Sequence, residues 1–250
     1  GILARSVYYV ADALIDAVFP FIARARGTAG SHAWFVAAAR WFPLGLLPVQ
    51  AVLLLAPAPV LALLFPSAYA DAAGLLRVLD LGTVGLIGAG MLVKALYAND
   101  AAVTVAPRTA LAAVVEVTAL AALVPAAGAA GAAWAYTLGS WTAAVLLGVA
   151  YLRLQDAARP LSAVRGGATA RYLLCLAGCG TVLTVAQHQP GPLGGALIIG
   201  ALGLFGALAA TTRLLSAQDL RRIRQVGAAV TGAARRTVRS AGRLLAGRAR

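Results

Sequence analysis

The sequence predicts an all-α protein: a polytopic bundle of about seven transmembrane helices followed by a basic amphipathic helix. Three observations predict it. Of the 250 residues, 61% are hydrophobic and 12% charged, where a soluble domain is about half apolar and about a quarter charged. Apolar runs recur along the chain at the length a bilayer demands, roughly 20 residues each. Most of the charge is set apart from those runs, in the connections between them and in the C-terminal tail. Abundant glycine and alanine suit helices that pack closely in lipid.

The first run is about Ile2 to Ala23. The second is Ala33 to Ala56, followed by a short apolar piece, Pro57 to Phe65. Pro57 and Pro59 are expected to end that second helix, since proline cannot continue the backbone ladder. The third run is Ala72 to Tyr97, the fourth Val105 to Leu123 and the fifth Ala130 to Leu152. Pro125 and Gly128 punctuate the fourth and fifth as a tight turn. The sixth is Ala170 to Gln187 and the seventh Leu193 to Leu215. The chain divides into a transmembrane domain, 1–216, and a tail, 217–250.

The connections alternate in charge. Arg24, Arg26 and Arg40 surround the first and Asp71 alone marks the second. Lys94 and Arg108 flank the third, and the fourth carries no charge. The fifth holds Arg153, Arg159, Arg165 and Arg171, and the sixth has no Lys or Arg. Cytoplasmic loops carry the excess of Lys and Arg, so Gly1 is expected outside and Arg250 inside. Gly1 stands where a Met would, and no basic leader or small-residue cleavage site precedes the first run. A signal peptide is therefore not expected. The chain reads as the C-terminal portion of a longer protein, with an odd number of spans before Gly1 if the natural N-terminus is cytoplasmic.

The net charge of +13 does not indicate nucleic acid, because position explains it. Nine arginines and no acid lie between Leu220 and Arg250. At about 100° per residue, Leu220, Ile223, Val226, Val230, Ala234, Val238 and Leu245 fall in a sector of roughly 120°. Arg221, Arg222, Arg235, Arg236, Arg239 and Arg243 point elsewhere. Such a helix suits an anionic leaflet; the plainer reading is a disordered tail whose arginines only fix topology. A single lysine, Lys94, stands among 21 basic residues, and this usage, with so much alanine, is expected of a GC-rich bacterial genome.

Cys175 and Cys179 lie one turn apart in an apolar run and read as small packing residues. No CxxC or Cys/His cluster supports zinc or dithiol chemistry, and no GxxxxGK[ST] supports ATP hydrolysis. No nucleophile–base–acid set appears, so the chain is not read as an enzyme. No cofactor is expected.

Candidate functional residues come from polar groups inside the runs. In YYVADALIDAVFPFIAR, Asp12 and Asp16 lie one turn apart. Arg5, Tyr9, Asp12 and Asp16 share a stripe roughly 60° wide on a helix, while Leu3, Val7, Val10, Leu14 and Val18 occupy the other faces. An intramembrane carboxylate is costly, so the stripe faces protein or a water-filled cavity. Two readings stand: a cavity wall that binds a polar substrate, an ion or a proton, and an internal Arg5–Asp12–Asp16 network that locks helices together. Glu116, mid-run without a local partner, divides in the same way. Asp80, three residues after Arg77, reads as half of a local ion pair. Topology accounts for Lys94 and Arg108.

Three stretches together resemble a known family. YYVADALIDAVFPFIAR resembles the A-x-x-L…F-P-x-hydrophobic-A helix of polysaccharide flippases. LLAPAPVLALLFPSAYADAAGLLRVL resembles their L-F-x-x-x-Y-x-x-A…L-R-x-L segment, where a helix breaks and a short piece leads on. LVPAAGAAGAAWAYTLGS resembles their P-x-x-G-x-x-G-A-A-x-A turn. The family is the polysaccharide-flippase branch (Wzx-like and lipid II flippase-like) of the multidrug/oligosaccharidyl-lipid/polysaccharide exporter (MOP) superfamily, and the resemblance covers roughly Tyr8 to Arg153.

That resemblance implies 12 to 14 spans in two lobes, of which this chain supplies the C-terminal lobe while an N-terminal half is missing from it. It implies transport of a polyprenyl-linked oligosaccharide or polysaccharide precursor across the bacterial cytoplasmic membrane by alternating access. The partners expected are a lipid-linked glycan and the anionic inner leaflet. Arg5 is the resemblance's candidate for the pyrophosphate. Asp12 and Asp16 are its candidates for sugar hydroxyls or a coupling ion, H+ or Na+. The alternatives are a cation-coupled multidrug exporter of the same superfamily and a non-transporting scaffold of a polysaccharide assembly complex.

Overall fold

The computed structural model describes residues 2–24, 29–154, 166–189 and 192–211, with Arg221, Arg224, Gln225 and Ala228 of the tail. Among these residues every regular element is helical. Alanine and leucine are the best helix formers, and in an apolar environment a helix satisfies its own backbone. The helices are α1 (Ile2–Arg24), α2 (Ala29–Leu55), α3 (Pro57–Leu64), α4 (Ala73–Ala98), α5 (Ala102–Leu154), α6 (Gly166–Ala186) and α7 (Pro192–Thr211), with a 3-10 turn at Ser67–Ala72.

The breaks follow from residue chemistry. Ala56 leaves helical geometry at φ −127° and ψ 50°, and Pro57 opens α3 at a position where its missing N–H has no partner to lose. The chain axis bends there by 90°. α3 ends when Phe65 becomes extended, its N–H donating to the Leu61 carbonyl. Asn99 closes α4 with its Nδ2 on the Ala95 carbonyl at 2.8 Å, and Asp100 takes φ 56°, a left-handed turn that aspartate tolerates.

α5 runs for 53 residues and is broken at Gly128, with φ 55° and ψ −128°. That is a backbone geometry that glycine adopts and L side chains rarely do. The two limbs fold back on each other: a Cβ added at Gly139 would sit 2.6 Å from Glu116 Cβ. The expected turn at Pro125–Gly128 is therefore where the chain reverses.

α4 packs along the second limb of α5 through small residues. A Cβ at Gly82 would meet the Tyr136 ring at 2.6 Å, and one at Gly85 would meet Trp141 at 3.1 Å. Close backbone approach lets side chains bond across the helices. Thr137 Oγ1 donates to the Val78 carbonyl at 2.8 Å, and Trp141 Nε1 to the Leu81 carbonyl at 3.0 Å. Leu96, Ala101, Val105, Leu147 and Tyr151 complete this core. A second core joins Val52, Leu53 and Leu61 of α2 and α3 to Leu76, Leu183 and Ile198.

The expected span boundaries compare closely with α1, α4 and the limbs of α5, but fewer helices meet the full length. Among the described residues three segments are long and apolar enough to cross a membrane: Arg5–Arg24, Ala68–Ala98 and Ala102–Leu154. The bent pair Gly45–Leu55 and Pro57–Leu64 makes a fourth if counted as one span. Cys175–Ala186 and Leu193–Leu208 are shorter apolar helices.

The chain forms two compact units, Gly1–Leu214 and Leu215–Arg250. In the second, Arg221, Arg224, Gln225 and Ala228 are helical and exposed. Arg222, Arg235, Arg236, Arg239 and Arg243, and with them most of the expected amphipathic helix, lie outside the described residues. So do loop residues 25–28 and 155–165, which carry several of the arginines used for topology.

Candidate functional site

α1 sets the site by its rotation. Ala11, Ile15, Val18 and Ile22, spaced at four, three and four residues, are buried and form the face that packs on the bundle. Tyr8 and Asp12 lie one turn apart beside that face. They open onto a cavity of about 490 Å³ walled by α1, α4 and both limbs of α5. Lys94 joins from α4, Thr109 and Glu116 from the first limb, and Tyr136, Gly139 and Ser140 from the second.

Each polar group is placed for a reason. Glu116 reaches the wall because Gly139 has no side chain: a Cβ there would lie 2.6 Å from Glu116 Oε2. Lys94 extends from α4 toward α1, and its Nζ donates to Asp16 Oδ1 at 2.6 Å. The Lys94 side chain is 30% exposed and that of Asp16 56%. Thr109 spends its hydroxyl on its own helix, at 3.1 Å from the Val105 carbonyl and 3.0 Å from that of Ala106.

The stripe expected on α1 is thus divided. Asp12 lines the cavity with Glu116. Asp16 lies off the lining and holds Lys94. Tyr9 is 62% exposed and turned away, with Tyr8 in the position expected of it. Arg5 is exposed and is not on the lining. The two carboxylates one turn apart share Lys94 unequally: Asp16 holds it in direct contact, and Asp12, on the cavity lining, attracts it from farther away. Among the described residues the Arg5–Asp12–Asp16 network is not formed.

Two expectations are corrected. Lys94 is more than a topology marker, since it pairs across helices and faces the cavity. Asp80 does not pair with Arg77. Arg77 turns outward and its Nη2 donates to Gln187 Oε1 at 2.9 Å. Asp80 turns inward, is 1% exposed, and neither carboxylate oxygen has a hydrogen-bond partner among the described residues. Gln50 Nε2 is likewise buried without a partner among the described residues. Spacing of three residues makes two side chains neighbours on a helix, but tertiary packing decided which way each turned.

Sequence reasoning missed Tyr8, Lys94, Tyr136 and Ser140. Tyr8 carried no signal of its own, because contact of Ala11, Ile15, Val18 and Ile22 with the other helices sets the rotation of α1. One signal could have found the second. Lys94 is the one lysine in a chain that otherwise uses arginine.

Among the described residues no group of three or more His, Cys, Asp or Glu could hold a metal ion. Cys175 and Cys179 are free thiols, both buried, and Cys179 Sγ lies 3.4 Å from the Ala201 carbonyl. They pack against Phe205, as small apolar residues do.

Fold and site together define an all-helical protein with several helices long and apolar enough to cross a membrane, three of them walling a largely apolar cavity that carries Asp12, Lys94 and Glu116. No family model, curated protein or solved structure matches the chain.

Proposed function

We propose that the chain is the C-terminal lobe of a multipass transporter that flips a polyprenyl-linked oligosaccharide or polysaccharide precursor across the bacterial cytoplasmic membrane by alternating access. In this reading α1, the bent pair α2–α3, α4, the two limbs of α5, α6 and α7 are seven spans. Gly1 lies outside and the tail inside, where its arginines meet the anionic leaflet.

The observation that carries the reading is the cavity. Asp12, Lys94, Glu116, Tyr8 and Tyr136 all open into about 490 Å³ between apolar helices. Ionisable groups at such a depth are costly unless they face protein or water. Two carboxylates and two phenols on an otherwise largely apolar wall offer acceptors and donors to sugar hydroxyls, and a hydrated cavity spares a polar head the crossing of hydrocarbon. The missing N-terminal half supplies the opposite wall and the opening and closing movement.

A second reading, the cation-coupled exporter, is favoured by one observation: Asp12 and Glu116 line the cavity and form no ion pair among the described residues. A cationic substrate or coupling ion, H+ or Na+, would meet them.

Photo-crosslinking in membranes tests the proposal. A polyprenyl-linked disaccharide with a diazirine on the sugar is expected to label residues around Tyr8, Glu116 and Tyr136. Asp12→Asn with Glu116→Gln is expected to reduce labelling about tenfold, the loss of one or two hydrogen bonds to charged groups. Labelling by a cationic amphiphile in its place supports the second reading. No labelling of these walls by either probe contradicts both.

A further inference from the structure

We propose that Lys94 is the anion-receiving group of this cavity, and that Asp16 is its temporary partner, giving up the ammonium when a phosphate-bearing head enters. The proposal rests on the transporter reading and adds a partner exchange to it.

The ion pair is built asymmetrically. Lys94 belongs to the cavity wall and Asp16 does not. Asp16 is the more exposed of the two and reaches the ammonium from the rim. An ammonium carries three donors on a flexible stem, of which this contact uses one. A half-exposed pair is a weak tie, so a ligand oxyanion can replace the carboxylate at small cost.

No other described cation competes for the role. Arg5 is off the lining. Arg77 is committed to Gln187, and Arg108 Nη1 to the Thr104 carbonyl of its own helix at 2.6 Å. Lys94 is the one described cation on the lining.

The rest of the wall restricts which anion fits. Asp12 and Glu116 repel a bare phosphate and accept hydrogen bonds from hydroxyls. A ligand that brings both parts satisfies the whole wall: oxyanion on Lys94, hydroxyls on the two carboxylates. The matching chemistry is a glycosyl phosphate ester, whether carried by a prenyl chain or free in water.

The two members of the pair then have opposite effects, which a purely structural ion pair would not show. Binding of prenyl-phosphoryl-glucose, glucose 1-phosphate and inorganic phosphate to the full chain in nanodiscs reads them out. Lys94→Gln is expected to weaken prenyl-phosphoryl-glucose about tenfold or more. Asp16→Asn is expected to tighten it several-fold by removing the competitor. Inorganic phosphate is expected to bind too weakly to detect, and the ratio of prenyl-linked to free glucose phosphate identifies the source. Because Lys94 is the only lysine, its acylation by a water-soluble amine reagent gives a second readout. Prenyl-phosphoryl-glucose is expected to slow it several-fold, and an uncharged prenyl glucoside to leave it unchanged. If both variants weaken binding together, or neither changes it, the exchange is overturned while the transporter reading stands. If the wild-type chain binds no glycosyl phosphate, the glycan reading falls, and the exchange falls with it.

Discussion

Asp80 and Glu116 are both lone acids in the middle of apolar helices, and the fold treats them in opposite ways. Asp80 is sealed inside the bundle, with neither oxygen bonded among the described residues. Glu116 rests against Gly139 on the wall of an open cavity. The contrast teaches that an acid in an apolar run is not by itself a functional signal. What distinguishes the two is whether the surrounding helices leave space beside the carboxylate. Gly139 leaves that space for Glu116, whereas Gly82 lets Tyr136 and Thr137 close in on α4 near Asp80.

The largest expected effect comes from prying that sealed contact apart. Gly82→Leu drives a side chain into Tyr136 and Thr137, and is expected to cost about 3 kcal/mol, the upper range for overpacking. The measurement is thermal stability in detergent. Gly74→Leu, where no neighbour lies within 4 Å, serves as control and is expected to change little. Equal effects at the two glycines would show that α4 and α5 are not in close contact.

A smaller effect of opposite sign is expected at Asp80. A buried polar group without a partner costs about 1–3 kcal/mol, so Asp80→Leu is expected to stabilise the protein by about that much. Glu116→Leu, changing a group that faces the cavity, is expected to leave stability within about 0.5 kcal/mol. A large loss at Asp80 would mean that its carboxylate has a partner that the packing does not reveal.

The smallest effect is at the cavity rim. Lys94→Gln removes a half-exposed ion pair, worth less than about 1 kcal/mol. Its expected mark is on ligand binding, with stability almost unchanged. A stability loss as large as that of Gly82→Leu would make the pair a structural lock.

Much of this arrangement was legible in the residues. Apolar runs bounded by Pro57, Pro125 and Gly128 located the helices and their breaks to within a few positions, because proline and glycine act locally. The polar stripe of α1 was legible from spacing. Its rotation was not: a stripe about 60° wide contains both Tyr8's neighbour Asp12 and the outward-turned Tyr9, and only contact with the other helices selects between them. The Lys94–Asp16 pair joins residues on α4 and α1, far apart in the chain, and no local pattern announces it. Arg77 and Asp80 show the converse, since a plausible local pair yielded to Gln187 on one side and to burial on the other.

The central claim is that water reaches Glu116 and not Asp80. With Cys175 and Cys179 replaced by alanine, single cysteines at Glu116, Asp80 and the outward-facing Val114, which is 61% exposed, can be treated in intact membranes with a charged, water-soluble thiol reagent. The account predicts rapid reaction at position 116, and none at 80 or at 114, which the transporter reading turns toward lipid. Protection of 116 to the same degree as the other two would contradict it, because no aqueous cavity would then exist for a polar head to enter.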